Sequence, residues 1–458
     1  MRTGGIAFPA DPSVKPLVMT DEGWGLREGP ELGVRLRDTL EALDRQEEQA
    51  WSQATLFISQ LSACTVNLDA AFFSLLKGSL DCKTAASEAF TAELTCALVK
   101  LRPKETTTAL LPEPLWLNRL DSRSLTDTCL ALLTQSHFPP CGLQVVSRLI
   151  ERLNTLEAVA LVNACSLLCE YVEKCDLEGW VERLSPLICP ESLQRLFALV
   201  EYGKDYMRVS ALATVKAVIA AGVFPKACGS ALEVMTQLYS QTIAVLIRLL
   251  EQPCSQTLQF PLGETLERLG PVRLKCVELL AALMALPSLA QAVIATSAFR
   301  LCTDLFFDFE WHSLFHHAYF SLVKGALEAG DCPSIAQDSG LPQHLAAAEK
   351  EVSRAGKLVR PGNYGYIVRI TELLMTSSLK FPLLKQALEG IEGWKDFTST
   401  VIQPRLDIQQ KRDFTSLCLS PFPQQCPLDE EDECEYELKD EPEEGNCNAF
   451  DSAHWKVQ

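Results

Sequence analysis

The chain has 458 residues, of which 47% are hydrophobic and 22% are charged. This composition is ordinary for a globular protein, and it excludes collagen, a coiled coil and disorder as descriptions of the whole chain. The formal net charge of −18 argues against nucleic-acid binding, because affinity for DNA or RNA depends on clustered lysine and arginine.

In chain order, the pattern divides into three parts. Residues 1–30 are rich in glycine and proline and are predicted to be a flexible N-terminal segment. Residues 31–413 repeat apolar positions every three or four residues, as from Leu143 to Leu153, and predict helices of about 10–20 residues. Residues 414–458 include eleven carboxylates and one lysine between Asp429 and Gly445, and predict a disordered acidic tail.

Proline and glycine separate the predicted helices. These breaks lie at 138–140, 189–190, 225, 253, 261–263, 270–271, 287 and 330–333. A long helical chain without heptad repeats can bury its apolar faces by stacking successive helix pairs. We therefore predict an all-α fold, an irregular HEAT/armadillo-like α-solenoid, with repeats of about 40–47 residues. A compact helical bundle is the structural alternative.

The lengths of the apolar stretches indicate the cellular compartment, and the compartment in turn indicates the redox state of the cysteines. No stretch reaches the ~18 apolar residues that a transmembrane helix needs, and residues 1–16 lack the apolar region of a signal peptide. We expect no membrane insertion and a cytoplasmic location, with the nucleus as a second site. The 18 cysteines are then reduced thiols. For Cys165, Cys169 and Cys175, buried helix packing is favoured over a metal site, since no histidine is near.

Motifs of the common enzyme classes are absent from the sequence. There is no Gly-x-x-x-x-Gly-Lys-Ser/Thr loop, no Gly-x-Ser-x-Gly elbow, no kinase motif set and no His-Glu-x-x-His. We predict no catalytic residue, no cofactor and no bound metal. His312 and His316 have a one-turn spacing that can hold zinc, with Cys302 or Glu310 as nearby ligands. A hydrogen-bonded histidine pair where helices pack is the favoured alternative.

Three carboxylates precede Trp311 in the sequence, namely Asp304, Asp308 and Glu310. Paired carboxylates can perform acid–base catalysis. Charges at a helix end, stabilised by the N-terminal dipole of the following helix, are the favoured explanation.

Two glycines, Gly362 and Gly365, resemble a phosphate-binding loop only superficially, because no predicted strand precedes them. We expect them to permit close approach of the backbone at the start of a helix that runs from about Tyr364.

Four segments, in order, resemble one protein family. They are Leu269-Gly270-x-x-Arg273-Leu274, the run from Asp304 to His316 (Asp-Leu-Phe-Phe-Asp-Phe-Glu-Trp-His-Ser-Leu-Phe-His), Arg360-x-Gly362-Asn363-x-Gly365-x-Ile-x-Arg369-Ile370, and Trp394-x-x-Phe397. Together they are similar to motifs of the SAPS family, the regulatory subunits of protein phosphatase 6 and its fungal counterparts. The resemblance covers about residues 260–405. His312-Ser313 stands where the family has paired asparagines, and Tyr366 stands for a histidine, so the chain resembles a divergent or shortened member.

The resemblance implies an armadillo-like fold and a non-catalytic role. A member of this family binds a metal-dependent Ser/Thr phosphatase catalytic subunit, of the protein phosphatase 6 type, and selects its substrates or location. Further scaffold proteins are expected as additional partners. Two other functions remain open on the sequence: a helical-repeat adaptor with a transport or cytoskeletal client, and an enzyme with an unrecognised helical active site.

Five residues in these segments are candidates for partner binding: Trp311, His316, Arg360, Asn363 and Arg369. Trp311 and His316, with Phe307, could form a binding hot spot or a helix-packing cluster, and packing is favoured. Arg360 and Asn363, at a loop-to-helix junction, are expected to be exposed contacts. Arg369 could pair with a carboxylate of the partner or with an internal one. Arg273, in contrast, is expected to form a cap or salt bridge within the fold.

Overall fold

The computed structural model describes residues 29–47, 49–63, 68, 70–81, 84–112, 115–135, 140–175, 180–222, 230–254, 257–259, 265–330, 335, 339–354 and 362–407. Residues 1–28, the acidic tail from 414 onwards and Arg360 lie outside this description. The chain divides into two compact units, 1–403 and 404–458. All elements named below belong to the first unit; in the second, residues 404–407 are helical.

Helices account for nearly all of the described secondary structure. The first thirteen are α1 (Gly29–Asp44), α2 (Ala50–Ala63), α3 (Ala70–Ser79), α4 (Ala85–Leu101), α5 (Pro103–Leu110), α6 (Leu115–Asn118), α7 (Arg123–Leu133), α8 (Pro140–Arg152), α9 (Ala158–Lys174), α10 (Trp180–Ile188), α11 (Pro190–Tyr202), α12 (Asp205–Ala220) and α13 (Ser230–Glu251). A short antiparallel hairpin follows, with β1 (Thr257–Gln259) and β2 (Thr265–Glu267). The remaining helices are α14 (Pro271–Leu283), α15 (Pro287–Ile294), α16 (Ala298–Asp308), α17 (Ser313–Glu328), α18 (Leu341–Arg354), α19 (Tyr364–Ser378), α20 (Pro382–Glu389) and α21 (Trp394–Phe397). A 3₁₀ turn follows α8 (Leu153–Thr155), and a π-helical turn follows α21 (Thr398–Ile402).

The helices stack in two rows. In the first row, which we call the ladder, α4 packs on α7, α7 on α9, α9 on α12, α12 on α14, α14 on α17 and α17 on α19. The second row runs through α8, α11 and α13 to α15 and α16, and joins the ladder through pairs such as α11 with α12 and α13 with α14. Because contacts are made to the next repeat in each row, the fold is an irregular α-solenoid. The prediction of a HEAT/armadillo-like solenoid is confirmed over the compact bundle.

The proline punctuation explains where many helices begin. Pro190, Pro271 and Pro287 each occupy the first turn of a helix, where the missing N–H has no intrahelical partner to lose. The breaks predicted at 189–190, 270–271 and 287 are therefore confirmed. The predicted start of α19 at Tyr364 is confirmed as well.

Helix α12 shows how the ladder is held together. It contacts α9, α11 and α14, and its apolar residues are accordingly buried on several sides. Leu212, Val215 and Val218 are fully buried. Burying each such side chain stabilises the fold by about 1.5–3 kcal/mol, so the row is held chiefly by the hydrophobic effect.

The hairpin was not predicted. The sequence indicated only a break at 261–263, whereas Thr257 pairs with Glu267 and Gln259 with Thr265 on either side of it. Strands of three residues are too short to show the alternation that distinguishes a strand. Buried Arg273, at the start of α14, places its guanidinium nitrogen 3.7 Å from a carboxylate oxygen of Glu267 in β2. The internal salt bridge predicted for Arg273 is confirmed.

Among the described helices, no single one has both the length and the hydropathy needed to cross a bilayer. Helices α15 and α16 meet those criteria only when taken together, and their axes are bent by 69° at the break between them.

Candidate functional site

The site predicted around Trp311 is a tight turn between α16 and α17. We call residues 308–314 the corner. The amide of Phe309 donates to the carbonyl of Leu305 (3.0 Å) and closes α16, and the amide of His312 donates to the carbonyl of Phe309 (3.1 Å). His312 then caps α17, because its Nδ1 accepts a hydrogen bond from the amide of Phe315 (3.2 Å). Each bond fixes the direction of the chain, so the corner is a defined turn.

Below the corner lies His316, which is fully buried. Its Nε2 is 2.9 Å from the carbonyl oxygen of Phe309, so Nε2 carries the proton and donates. The ring lies edge-on to Phe306, with centroids 5.1 Å apart, and also contacts Tyr366 of α19 at 5.8 Å. Burial lowers the pKa of His316, which keeps the imidazole neutral. Helix packing is confirmed for His316, and a direct partner contact is wrong because the side chain has no exposed surface.

Asn363 links the start of α19 to the end of α16. Its side chain is only 2% exposed, and Nδ2 donates to the carbonyl oxygen of Phe306 at 3.1 Å. That carbonyl belongs to the last turn of α16, where carbonyls lack intrahelical donors, so Asn363 caps a helix from a distant segment. The prediction that Asn363 is an exposed contact is therefore wrong. Its polar group serves the fold.

Gly362 provides the close approach that the sequence predicted. A Cβ atom at this position would lie 2.8 Å from the carbonyl oxygen of Glu310 and 3.0 Å from Cε3 of Trp311. Only glycine fits against the corner here without displacing it. Gly365 differs, because a Cβ atom there would have nothing within 4 Å, so close approach does not explain it.

Trp311 itself is exposed. Its side chain is 65% accessible, and Leu314, in the first turn of α17, is 67% accessible. The favoured prediction that Trp311 belongs to a packing cluster is wrong, because most of its surface is exposed. Packing is right for Phe307, which stacks on His344 with centroids 5.1 Å apart.

Arg369 is the exposed cation nearest to this site in the predicted set. Its guanidinium carbon lies 4.4 Å from the ring centroid of Phe320 in α17 and 5.5 Å from that of Tyr366. The internal partner of Arg369 is therefore aromatic, where the sequence predicted a carboxylate. One face of the guanidinium is used in this way, and the residue remains exposed.

The predicted placement of two carboxylates is also wrong. Asp304 and Asp308 lie in the last turns of α16, where the C-terminal dipole disfavours negative charge, rather than before the N-terminus of the next helix. Glu310 lies in the turn that precedes the cap of α17, as expected.

The two groups considered for metal binding serve helix ends and helix packing. His312 and His316 are both hydrogen-bonded as described above, which is the favoured prediction. Cys165 is buried, and Sγ of Cys169 is 3.8 Å from the hydroxyl of Thr214 across the contact between α9 and α12. Burial raises the pKa of Cys165 to about 12, so its thiol is neither a ready ligand nor a nucleophile. Within the described ranges, no three His, Cys, Asp or Glu side chains converge as metal ligands.

Sequence reasoning missed a cavity of about 560 Å³ on the ladder, between α9, α12 and α14. Its floor consists of alanines of α12, and at its edge Nζ of Lys216 is 2.6 Å from Glu278, which also accepts from Lys275 at 3.0 Å. Burial raises the pKa of Glu278, but hydrogen bonds from the two lysines outweigh that effect and lower it. Leu314 was missed too, although it shares a helical phase with exposed His317.

Comparison with known proteins identifies no family. No family model and no curated protein matches the chain. Among solved structures, the chain is similar to the crystal structure of an engineered protein, with 13% identity and a TM-score of 0.29 over 79% of this chain and 99% of that one. It is also similar to Kap121p, solved with Nup53p bound, with 12% identity and a TM-score of 0.35 over 83% of this chain. The chain spans about half (51%) of that Kap121p chain.

Proposed function

We propose that this chain is a non-catalytic regulatory or scaffolding subunit. Its partner is the catalytic subunit of a Ser/Thr phosphatase of the protein phosphatase 6 type, whose substrate choice or location it directs in the cytoplasm or nucleus. The observation that carries the proposal is the meeting of two SAPS-like segments. Asn363 from one segment donates to the carbonyl of Phe306 from the other, and the backbone of Gly362 lies close against Glu310 and Trp311. Residues that make the resemblance thus act together.

The way in which the corner is built supports a binding role. Three features fix it: the hydrogen bonds of buried Asn363 and buried His316, and the close approach of Gly362. Together they present Trp311 on a fixed turn, with most of the indole in solvent. Binding a preorganised aromatic side chain loses little conformational entropy, and tryptophan is enriched among residues that dominate interface energies.

The chemistry of the same residues supports a non-catalytic role. A general base must reach the substrate with an unprotonated nitrogen or oxygen that is free to accept a proton. Its pKa must also lie near the working pH. His316 is buried and donates to a backbone carbonyl, and His312 uses Nδ1 to cap α17. Both are therefore occupied in holding the corner in place.

Co-purification from the protein's own cells tests the proposal. The tagged full-length chain is captured at gentle salt, and bound proteins are quantified by mass spectrometry. We expect near-stoichiometric recovery of a protein phosphatase 6-type catalytic subunit, and phosphatase activity only when that subunit is present. Transport or cytoskeletal proteins without a phosphatase would refute the proposal in favour of the adaptor function. Turnover of a phosphopeptide by the chain alone would refute the non-catalytic role.

A further inference from the structure

We propose that the corner docks a basic, apolar segment of the phosphatase catalytic subunit, in which lysine or arginine side chains surround one apolar contact. This inference rests on the proposed function and specifies the chemistry of its partner surface. Two properties of the corner and the end of α16 carry it: an exposed apolar pair, and carboxylates near it in sequence that form no salt bridge with any described residue.

The apolar pair consists of Trp311 and Leu314, which are 65% and 67% exposed. They are three residues apart: Trp311 lies in the turn, and Leu314 lies in the first turn of α17. The hydrogen bonds of buried Asn363 and His316, and the close approach of Gly362, hold the backbone of the corner in place. Exposure on a fixed turn leaves the indole face available to a partner side chain.

The carboxylates are Asp304, Asp308 and Glu310. Between residues 301 and 323 the sequence contains these three acids and no lysine or arginine. None of them forms a salt bridge within the described part of the chain, although acids elsewhere do: Glu88 with Arg119 at 2.6 Å, and Glu170 with Arg123 at 2.9 Å. The cation on the neighbouring helix, Arg369, is held over Phe320, six residues beyond Leu314. Among the described residues, the carboxylates of the corner are therefore not neutralised by a salt bridge.

Folding does not account for this placement of charge. Asp304 and Asp308 are four residues apart on one helix, so their negative charges repel each other. Both also lie near the C-terminal end of α16, where the helix dipole disfavours negative charge. A basic partner would relieve both effects. The aliphatic stem of a lysine or arginine can also cover an indole while its charge faces a carboxylate, which suits an apolar pair with acids beside it.

Neutralising the acids without changing their shape tests the proposal. The double variant Asp308→Asn with Glu310→Gln is compared with the matched double variant Glu93→Gln with Glu251→Gln, whose acids are exposed on α4 and α13. Each full-length chain is titrated with the recombinant phosphatase 6-type catalytic subunit at several salt concentrations. We expect the corner variant to bind about tenfold more weakly at low salt, with a shallower salt dependence, and the control to bind as wild type does. Trp311→Ala should weaken binding about thirtyfold or more at every salt concentration.

The outcomes separate the two proposals. If the wild-type chain binds the phosphatase and the corner variants bind it equally well, the docking surface is wrong and the proposed function stands. If the wild-type chain does not bind the phosphatase, the proposed function fails and the docking inference fails with it. Circular dichroism of each variant checks that weakened binding does not come from unfolding. Neutralising a carboxylate at a helix C-terminus removes an unfavourable charge, so the corner double variant should fold.

Discussion

Asn363 offers the sharpest test of how the corner is held. We predict that Asn363→Ala destabilises the junction between α16 and α19 and, through it, weakens partner binding, although the side chain is buried and contacts no partner. The substitution removes the amide that donates to Phe306 at 3.1 Å and leaves that carbonyl without its donor.

The magnitude follows from two opposing contributions. A buried carbonyl that loses its only side-chain donor costs about 1–3 kcal/mol. The Oδ1 atom of Asn363 is buried and has no hydrogen-bond partner among the described residues, so removing it recovers part of the cost of its desolvation. The expected loss in the free energy of unfolding is therefore about 1–2 kcal/mol.

Asn163 supplies a matched control on the same fold. It is also buried, and its Nδ2 donates to the carbonyl of Leu120 at 2.8 Å and to that of Asp121 at 3.3 Å, before α7. Asn163→Ala should lose a similar free energy, measured by urea denaturation, yet leave partner binding unchanged. Hydrogen exchange should report faster opening at residues 305–312 in Asn363→Ala only. A loss below about 0.3 kcal/mol for Asn363→Ala, or equal weakening of binding by both variants, would refute the reasoning.

Three further outcomes are expected. Trp311→Ala should change the free energy of unfolding by about 0.5 kcal/mol or less, because the side chain is mostly exposed; a larger loss in thermal or urea denaturation would mean that Trp311 supports the fold. Because the folded-state pKa of Glu278 is lowered, its contribution to stability is present above its ordinary value of 4.5 and is lost as the pH falls through the folded value. Glu278→Gln should therefore reduce stability at pH 7 and flatten the acid limb of a stability–pH curve, and an unaltered limb would argue against the bridges to Lys216 and Lys275. Finally, iodoacetamide at pH 8 should alkylate half-buried Cys254 in the native protein. Burial raises the pKa of three other thiols to about 12, namely Cys129, Cys165 and Cys276, so they should react much more slowly. Mass spectrometry should find these three modified only in denaturant.

Sequence reasoning worked where local chemistry decides the structure. Proline fixes its own backbone angle and lacks a donor, so Pro190, Pro271 and Pro287 mark helix starts regardless of what packs around them. The repeat of apolar positions every three or four residues over 31–413 likewise predicts helices, because the apolar face of each helix must be covered by a neighbour.

Sequence reasoning failed where a distant contact decides the structure. Asn363 was predicted to be exposed because an asparagine before a helix usually is, but its partner is a carbonyl 57 residues earlier, which no local pattern reveals. Trp311 was predicted to be packed because large aromatics usually are. Its exposure follows from its position in the turn where α16 and α17 meet, which residue type alone does not reveal.

The ladder has a consequence for how mechanical strain and thermal motion are distributed. Each of its helices contacts chiefly its neighbours in the stack, so the stability of the array is a sum of local helix stabilities and nearest-neighbour interface energies. Helix α12 packs between α9 and α14, whereas α19, the last ladder member among the described helices, packs on α17 and on the shorter elements α18, α20 and the π-helical turn. A protein bound at the corner would lie where α16, α17 and the start of α19 meet, and it would stabilise that end of the ladder against local opening.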